Sequence, residues 1–114
     1  MKIIDDKNLI TVSELKQMAK RMYEDLVKAV VDVKRSIMAV DAELHADQEE
    51  YLLKHGSKQS NLWGINLHPH NDESLIEFDS MINLRPSQGN RTRGVDDKKI
   101  KKQIIQIVNK LVTK

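Results

Sequence analysis

The sequence predicts an α+β fold: a two-layer sandwich in which an antiparallel sheet of about four strands carries three helices mainly on one face. Three observations predict it. Apolar residues recur at helical spacing over 12–26 and again over 97–112. They alternate over 62–68 and 75–84, as in half-buried strands. Between the first helix and the first clear strand, Val27, Val30, Val31 and Val33 crowd β-branched residues into a stretch that suits a sheet better than a helix. Ile, Val and Leu number 31 of 114 residues, enough for one core, so a single domain spanning residues 1–114 is expected.

Each element has its own signal. Lys2–Ile4 is a short edge strand, with Asp5–Asn8 as the turn that follows. Thr11 and Glu14 form a capping box, flanked by Ile10 and Leu15 as a hydrophobic staple, and Leu15, Met18, Ala19, Met22 and Leu26 continue one apolar helix face. Over residues 26–44 two patterns overlap. Apolar residues step by three and four, as in a helix, while Val27, Ala29, Val31 and Val33, then Met38, Val40, Ala42 and Leu44, alternate as in a hairpin. The valine crowding, the length of an uncapped helix from 12 to 44, and a second capping box at Asp47 and Glu50 favour the hairpin, although Lys34-Arg35 lacks the usual turn residues. A short helix follows over 48–55, capped by Asp47 and ended by Gly56. The strand 62–68 puts Trp63, Ile65 and Leu67 on one face. The strand 75–84 does the same with Ile76, Phe78, Ile82 and Leu84, before Pro86 ends it. The last helix, with Asp96 as its N-cap, carries Ile100, Ile104, Ile107, Val108 and Leu111 on its apolar stripe.

Composition excludes several classes. With no cysteine, disulfide scaffolds, thiol catalysis and cysteine-ligated zinc are ruled out. No apolar run reaches the roughly 18 residues of a membrane span, and the first residues lack a signal-peptide core, so a cytoplasmic protein with no membrane partner is expected. The net charge of +2 does not by itself imply nucleic acid, but the charge is unevenly placed. Residues 95–114 carry six lysines and two aspartates, Asp41–Glu50 holds five acids and no base, and Arg85–Arg93 holds three arginines and no acid. Such polarity steers charged partners.

Two groups of residues carry chemistry. If both hairpins join one sheet, Asp32, Asp41, Glu43, Glu77 and Asp79 project from the face opposite the core. Lys28 would then stand across from Asp41 as an ion pair. With His45 and Asp47, the acids Glu43, Glu77 and Asp79 are the candidate catalytic set, since clustered carboxylates and imidazole serve as general bases. Their spacing matches no metal motif, so no metal and no cofactor is assigned. The second group is the loop after the last strand. Arg85, Gly89, Asn90, Arg91 and Arg93, with Trp63 nearby, are the candidate ligand-binding residues. Glycines let backbone N–H groups approach an anion, and arginine clamps phosphate or carboxylate. Lys98, Lys99, Lys101 and Lys102 could extend this basic surface along the last helix toward a nucleic-acid backbone.

Three polar stretches resemble an uncharacterised prokaryotic family, a domain of unknown function. They are Val27–Val33 leading into Asp41-Ala42-Glu43-Leu44-His45-Ala46-Asp47, Gly56-Ser57-Lys58-Gln59 through Leu62-Trp63-Gly64, and Phe78 through Arg85-Pro86 to Gly89-Asn90-Arg91. The resemblance covers about residues 12–112 and implies no assigned activity, so it carries over no catalytic residue; near Asp41 and Ala42 this chain lacks the family's glycines. The expected function is an anion-binding module for a phosphorylated or carboxylated small ligand, or for a nucleic-acid backbone, acting through the arginine loop. The alternatives are a small metal-assisted hydrolase of phosphate esters built on the carboxylates and His45, and a structural homodimer.

Overall fold

The capping box at Thr11 starts the first helix as the sequence requires. In the computed structural model, which describes residues 1–114, the Glu14 N–H donates to Thr11 Oγ1 at 3.0 Å and the Thr11 N–H to Glu14 Oε1 at 3.1 Å. The chain order is β1 (Lys2–Ile4), β2 (Ile10–Thr11), α1 (Val12–Met22), β3 (Val27–Asp32), β4 (Ile37–Val40), α2 (His45–Lys54), β5 (Leu62–Leu67), β6 (Ile76–Glu77), α3 (Lys98–Leu111) and β7 (Val112–Thr113). Five strands form one antiparallel sheet in the order β1-β4-β3-β5-β6. A short parallel ladder between β2 and β7 ties the start of α1 to the end of α3.

The main core lies on one face of the sheet. There α1 supplies Leu15, Met18 and Ala19, and α3 supplies Ile104, Ile107, Val108 and Leu111. Both pack against Val27, Ala29, Val31, Trp63, Ile65 and Leu67. The α+β class and the antiparallel sheet stand as the sequence predicts. The other face is not left open, however. The third helix, α2, crosses part of it and packs Leu52 on Val30, Ala39 and Leu62. The rest of that face, where Lys28 and Asn66 are paired in register, remains uncovered by helix.

The hairpin of β3 and β4 is present, and its turn comes from a residue that precedes it. Asp32 Oδ1 accepts from the Lys34 N–H at 2.9 Å and the Arg35 N–H at 3.0 Å, and the Ser36 N–H donates to Asp32 O at 3.0 Å. This aspartate turn replaces the missing Asn-Gly. Asp32 is therefore buried, and its Oδ2 accepts from Ser57 Oγ at 2.7 Å; it does not share the outer acidic surface. Asp41, just after β4, adopts a φ of 62°.

Three expected boundaries shift. First, α2 begins at His45 with Leu44 as its N-cap, so Asp47 caps nothing and lies exposed in the first turn. Second, α3 is capped by Asp97, which accepts from the Lys99 and Ile100 N–H groups, and not by Asp96. Third, the strand expected over 75–84 survives only at Ile76–Glu77. Its alternation had another cause: Phe78 packs in the main core, whereas Ile82, inside a 3-10 turn at Met81–Asn83, packs on the α2 side. Beyond Glu77 the edge of β5 is completed by a side chain. The Gly64 N–H donates to Asn83 Oδ1 at 2.8 Å, and Asn83 Nδ2 donates to Gly64 O at 2.9 Å. Gly64 permits this approach, since a Cβ there would lie 2.5 Å from Ser80 Oγ.

Two substitutions test this junction. Gly64→Ala should cost about 1–3 kcal/mol by overpacking against Ser80. Asn83→Ala should cost about 2–3 kcal/mol by leaving a buried N–H and C=O unpaired. Urea unfolding followed by the fluorescence of Trp63, the single tryptophan, measures both.

Candidate functional site

The uncovered part of the sheet face floors a cleft of about 520 Å³, walled by the end of α1, the first turn of α2 and the segment after β6. His45 enters it from the first position of α2. Its Nε2 bonds Ile65 O at 2.7 Å; a carbonyl can only accept, so Nε2 carries the hydrogen and Nδ1 is left as the ring's acceptor. Burial, more than any neighbour, pushes the His45 imidazole below its usual range, and the Lys28 ammonium adds to this. The side chain is thus neutral near neutral pH. One turn on, Gln48 Nε2 donates to Lys28 O at 2.8 Å. These two bonds seat the start of α2 directly on β3 and β5.

From the strands, Asn66 and Glu77 face each other across the β5–β6 pair, as their alternation predicts. Asn66 Nδ2 donates to Glu77 Oε1 at 3.0 Å and to Asp79 O at 3.3 Å, and His68 Nε2 meets the same Glu77 oxygen at 3.0 Å. The His68 and Asn66 hydrogen bonds hold the Glu77 carboxyl below the usual carboxylate range. Asp79 Oδ1 pairs with Arg93 Nε at 2.8 Å. Lys28 differs from these neighbours. Its Nζ sits 5.1 Å from the centroid of the Tyr23 ring, and no carboxylate lies within ion-pair distance of it. The expected partner, Asp41, is met instead by Arg21 at 3.5 Å.

Of the residues singled out in the sequence, the fold brings His45, Glu77, Asp79 and Arg93 into this one cleft. Glu43 is exposed at its margin, where its carbonyl accepts from the Tyr23 hydroxyl at 2.5 Å. Asp47 lies elsewhere, beside Glu50, Tyr51 and Lys54. The arginine loop divides. Arg85 is buried: Nη1 donates to Gln59 O and Nη2 to Leu62 O, both at 2.6 Å, and the guanidinium stacks 4.1 Å above the Trp63 ring. Burial works against its charge, and the Glu49 carboxylate works for it. Asn90 is a staple inside the loop. Its Nδ2 donates to Asn83 O, Thr92 O and Gly94 O, and its Oδ1 accepts from the Asp96 N–H at 2.8 Å. Gly89 adopts a φ of 84° to close a 3-10 turn at Pro86–Gln88. Arg91 is exposed, and its backbone N–H donates to Asp96 Oδ2 at 2.7 Å.

Trp63, Gly89 and Asn90 line a second cleft of about 580 Å³, which also holds Asp96 and Asp97. Hydrogen bonds from Thr92 and from the Arg91 N–H hold the Asp96 carboxyl below its usual range. These acids repel an anion, and no lysine or arginine lines this cleft to offset them. Sequence reasoning missed Lys28, Tyr23, Leu44 and Met81 as members of the first cleft. Only the non-local pairing of β3 with β5, which sets Lys28 opposite Asn66, assembles them. No group of three or more His, Asp or Glu side chains is arranged to hold a metal ion, and no helix is long and apolar enough to cross a membrane.

Fold and cleft together define a small α+β domain whose antiparallel sheet carries α1 and α3 on one face and, on the other, α2 beside a polar cleft. The chain belongs to the family described as a protein of unknown function, DUF5674, whose model matches residues 2–111. This bears out the resemblance to an uncharacterised family. No curated protein and no solved structure matches the chain significantly.

Two outcomes test the assignments of His45 and Arg85. The folded imidazole of His45 titrates below the unfolded one, so the unfolded chain takes up the proton first as the pH falls. The stability this residue contributes is complete above about pH 6.5 and is lost as the pH drops below it. Denaturation curves from pH 7.5 to 5 should show that slope, and His45→Gln should flatten it. Arg85→Ala should cost about 2–3 kcal/mol, because two carbonyls lose charged donors. The same change should shift Trp63 emission to the red.

Proposed function

We propose that the protein is a cytoplasmic anion-binding domain that takes a phosphorylated or carboxylated small ligand in the Lys28–His45–Arg93 cleft. One observation carries this reading: the ammonium of Lys28 faces the cleft with no carboxylate partner. A cation in a cleft with no carboxylate on it is free to pair with an incoming anion. Two further features support it. The cleft abuts the first turn of α2, whose N-cap Leu44 offers no side-chain acceptor, so the first N–H groups of the helix are uncapped and carry its positive end. Arg93, the one member of the arginine loop in this cleft, adds a second cation, at present shared with Asp79.

The seat of the anion therefore moves from the loop expected in the sequence to the sheet face beneath α2. Both terminal nitrogens of Arg85, and the side-chain amide of Asn90, are already bonded within the chain.

Titration of isotope-labelled protein with phosphate and with acetate tests the reading. The amide resonances of His45 and Ala46 should move together with the side-chain signals of Lys28 and Arg93. Lys28→Met should weaken binding by about ten-fold, equivalent to about 1.4 kcal/mol, while Arg91→Ala should leave it unchanged. Shifts confined to Gly89, Asn90 and Arg91 would return the site to the loop and overturn the proposal.

A further inference from the structure

The walls of the same cleft limit what the anion can be. Its charged side chains balance: Lys28 and Arg93 stand against Glu77 and Asp79, and His45 is neutral. A dianionic phosphate would add two negative charges to a floor that already balances, with only Lys28 free of a carboxylate, whereas a monoanion adds one. The rim is of another kind. Tyr23, Leu44 and Met81 surround the opening and are 40%, 51% and 63% exposed. Of the eight exposed large apolar side chains in the molecule, three stand around this one opening, so the rim is an apolar contact surface beside a charged floor.

The floor also holds two acceptors without donors. His45 Nδ1 has none, since the ring's single hydrogen goes to Ile65 O. Asn66 is only 6% exposed, and its Oδ1 is unpaired while its Nδ2 serves two acceptors. Both acceptors of Nδ2 are oxygens, which fixes the amide orientation and leaves Oδ1 as the orphan.

We infer that the ligand is an apolar monocarboxylate with an N–H or O–H donor beside the carboxylate, placing the carboxylate at Lys28 and the first turn of α2, the donor at His45 Nδ1, and the apolar group against Tyr23, Leu44 and Met81. N-acyl amino acids and the carboxyl termini of peptides share this chemistry. The inference rests on the anion-site reading above and adds the apolar group and the donor to it. An acceptor with no donor of its own favours ligands that bring the matching donor over analogues that lack it.

N-acetyl-leucine is the probe. It should shift the methyl signals of Leu44 and Met81 and the Nδ1 resonance of His45. 4-Methylpentanoate, which has the same branched chain and carboxylate but no N–H, should bind about ten-fold more weakly. N-acetyl-leucinamide, without the charge, should not bind. Leu44→Ala, which offers no capping oxygen, and Met81→Ser change exposed side chains and so leave the fold and the uncapped helix start intact; each should weaken N-acetyl-leucine several-fold and leave acetate unchanged. A peptide ending in leucine separates the two sources. Tighter binding than N-acetyl-leucine identifies a peptide terminus, and equal or weaker binding identifies a small metabolite. If acetate and phosphate bind as well as N-acetyl-leucine and ignore both rim variants, this inference falls while the anion site stands. If no carboxylate or phosphate shifts the cleft, both fall.

Discussion

The architecture depends on how the outer edge of β5 is closed. A strand in the middle of a small sheet needs hydrogen-bond partners on both sides. On one side β3 pairs along the whole of β5, but on the other β6 lasts only two residues. At Gly64 the gap is filled by the amide of Asn83, which offers one acceptor and one donor in place of a neighbouring backbone. The missing Cβ lets Ser80 settle against Gly64. The Ser80 N–H then donates to Arg93 O at 2.9 Å, and Asn83 Nδ2 donates to the same oxygen at 3.0 Å. One side-chain amide thus releases the chain from the sheet, turns it across the edge of β5, and fixes Arg93 where its guanidinium meets Asp79. The two clefts on either side of that crossing follow from the same substitution of a side chain for a strand.

What the sequence shows of this is mostly local. The Thr11–Glu14 box, the left-handed cap at Gly56 with a φ of 100°, and the inward row of Trp63, Ile65 and Leu67 need no information from beyond a few residues. The 27–40 hairpin was legible through its valines, because β-branched side chains suit the pleat. Its turn was not, because Asp32 sits one residue before the region where turn residues are sought, and its burial depends on Ser57, far along the chain. The 75–84 segment misleads for a related reason. A chain crossing from one face of a sheet to the other can show alternation without being a strand, and Phe78 and Ile82 serve two different cores. Likewise α2 starts early because His45 and Gln48 bond to β5 and β3, a tertiary contact that overrides the local preference for starting at Asp47.

The arginine loop shows how chemical richness can serve structure. Arginine and asparagine suit anion sites because they present several donors in fixed geometry, and the same property lets them satisfy clustered backbone carbonyls where no regular element does. Arg85 closes the strand edge at Gln59 and Leu62 and covers Trp63; Asn90 gathers three carbonyls of an irregular turn. Removing either leaves buried groups unpaired, which is why such networks are costly to disturb. Lys28 is the opposite case. Nothing around it in the sequence marks it out, and its standing depends on what the fold withholds from it, namely a carboxylate.

Several departures from local good order meet in one place. Other helices follow the usual rules closely: α1 has a complete capping box, α3 has Asp97 at its N-cap, and within α2 Lys54 pairs with Glu50 one helical turn away. Around the cleft under α2 the rules lapse together. A leucine stands where a helix wants an oxygen acceptor, worth about 1 kcal/mol; a lysine has no counter-charge; a histidine is held neutral by burial; an asparagine oxygen lacks a donor; and three large apolar side chains face solvent. Each lapse alone is ordinary in a folded protein. Their convergence on one cleft is not what selection for stability alone produces, since a Ser or Asp at position 44 and an acid opposite Lys28 would together remove two of them. A ligand of the kind inferred above, negative at one end and apolar at the other, would answer the unpaired lysine, the uncapped helix start and the exposed apolar rim together.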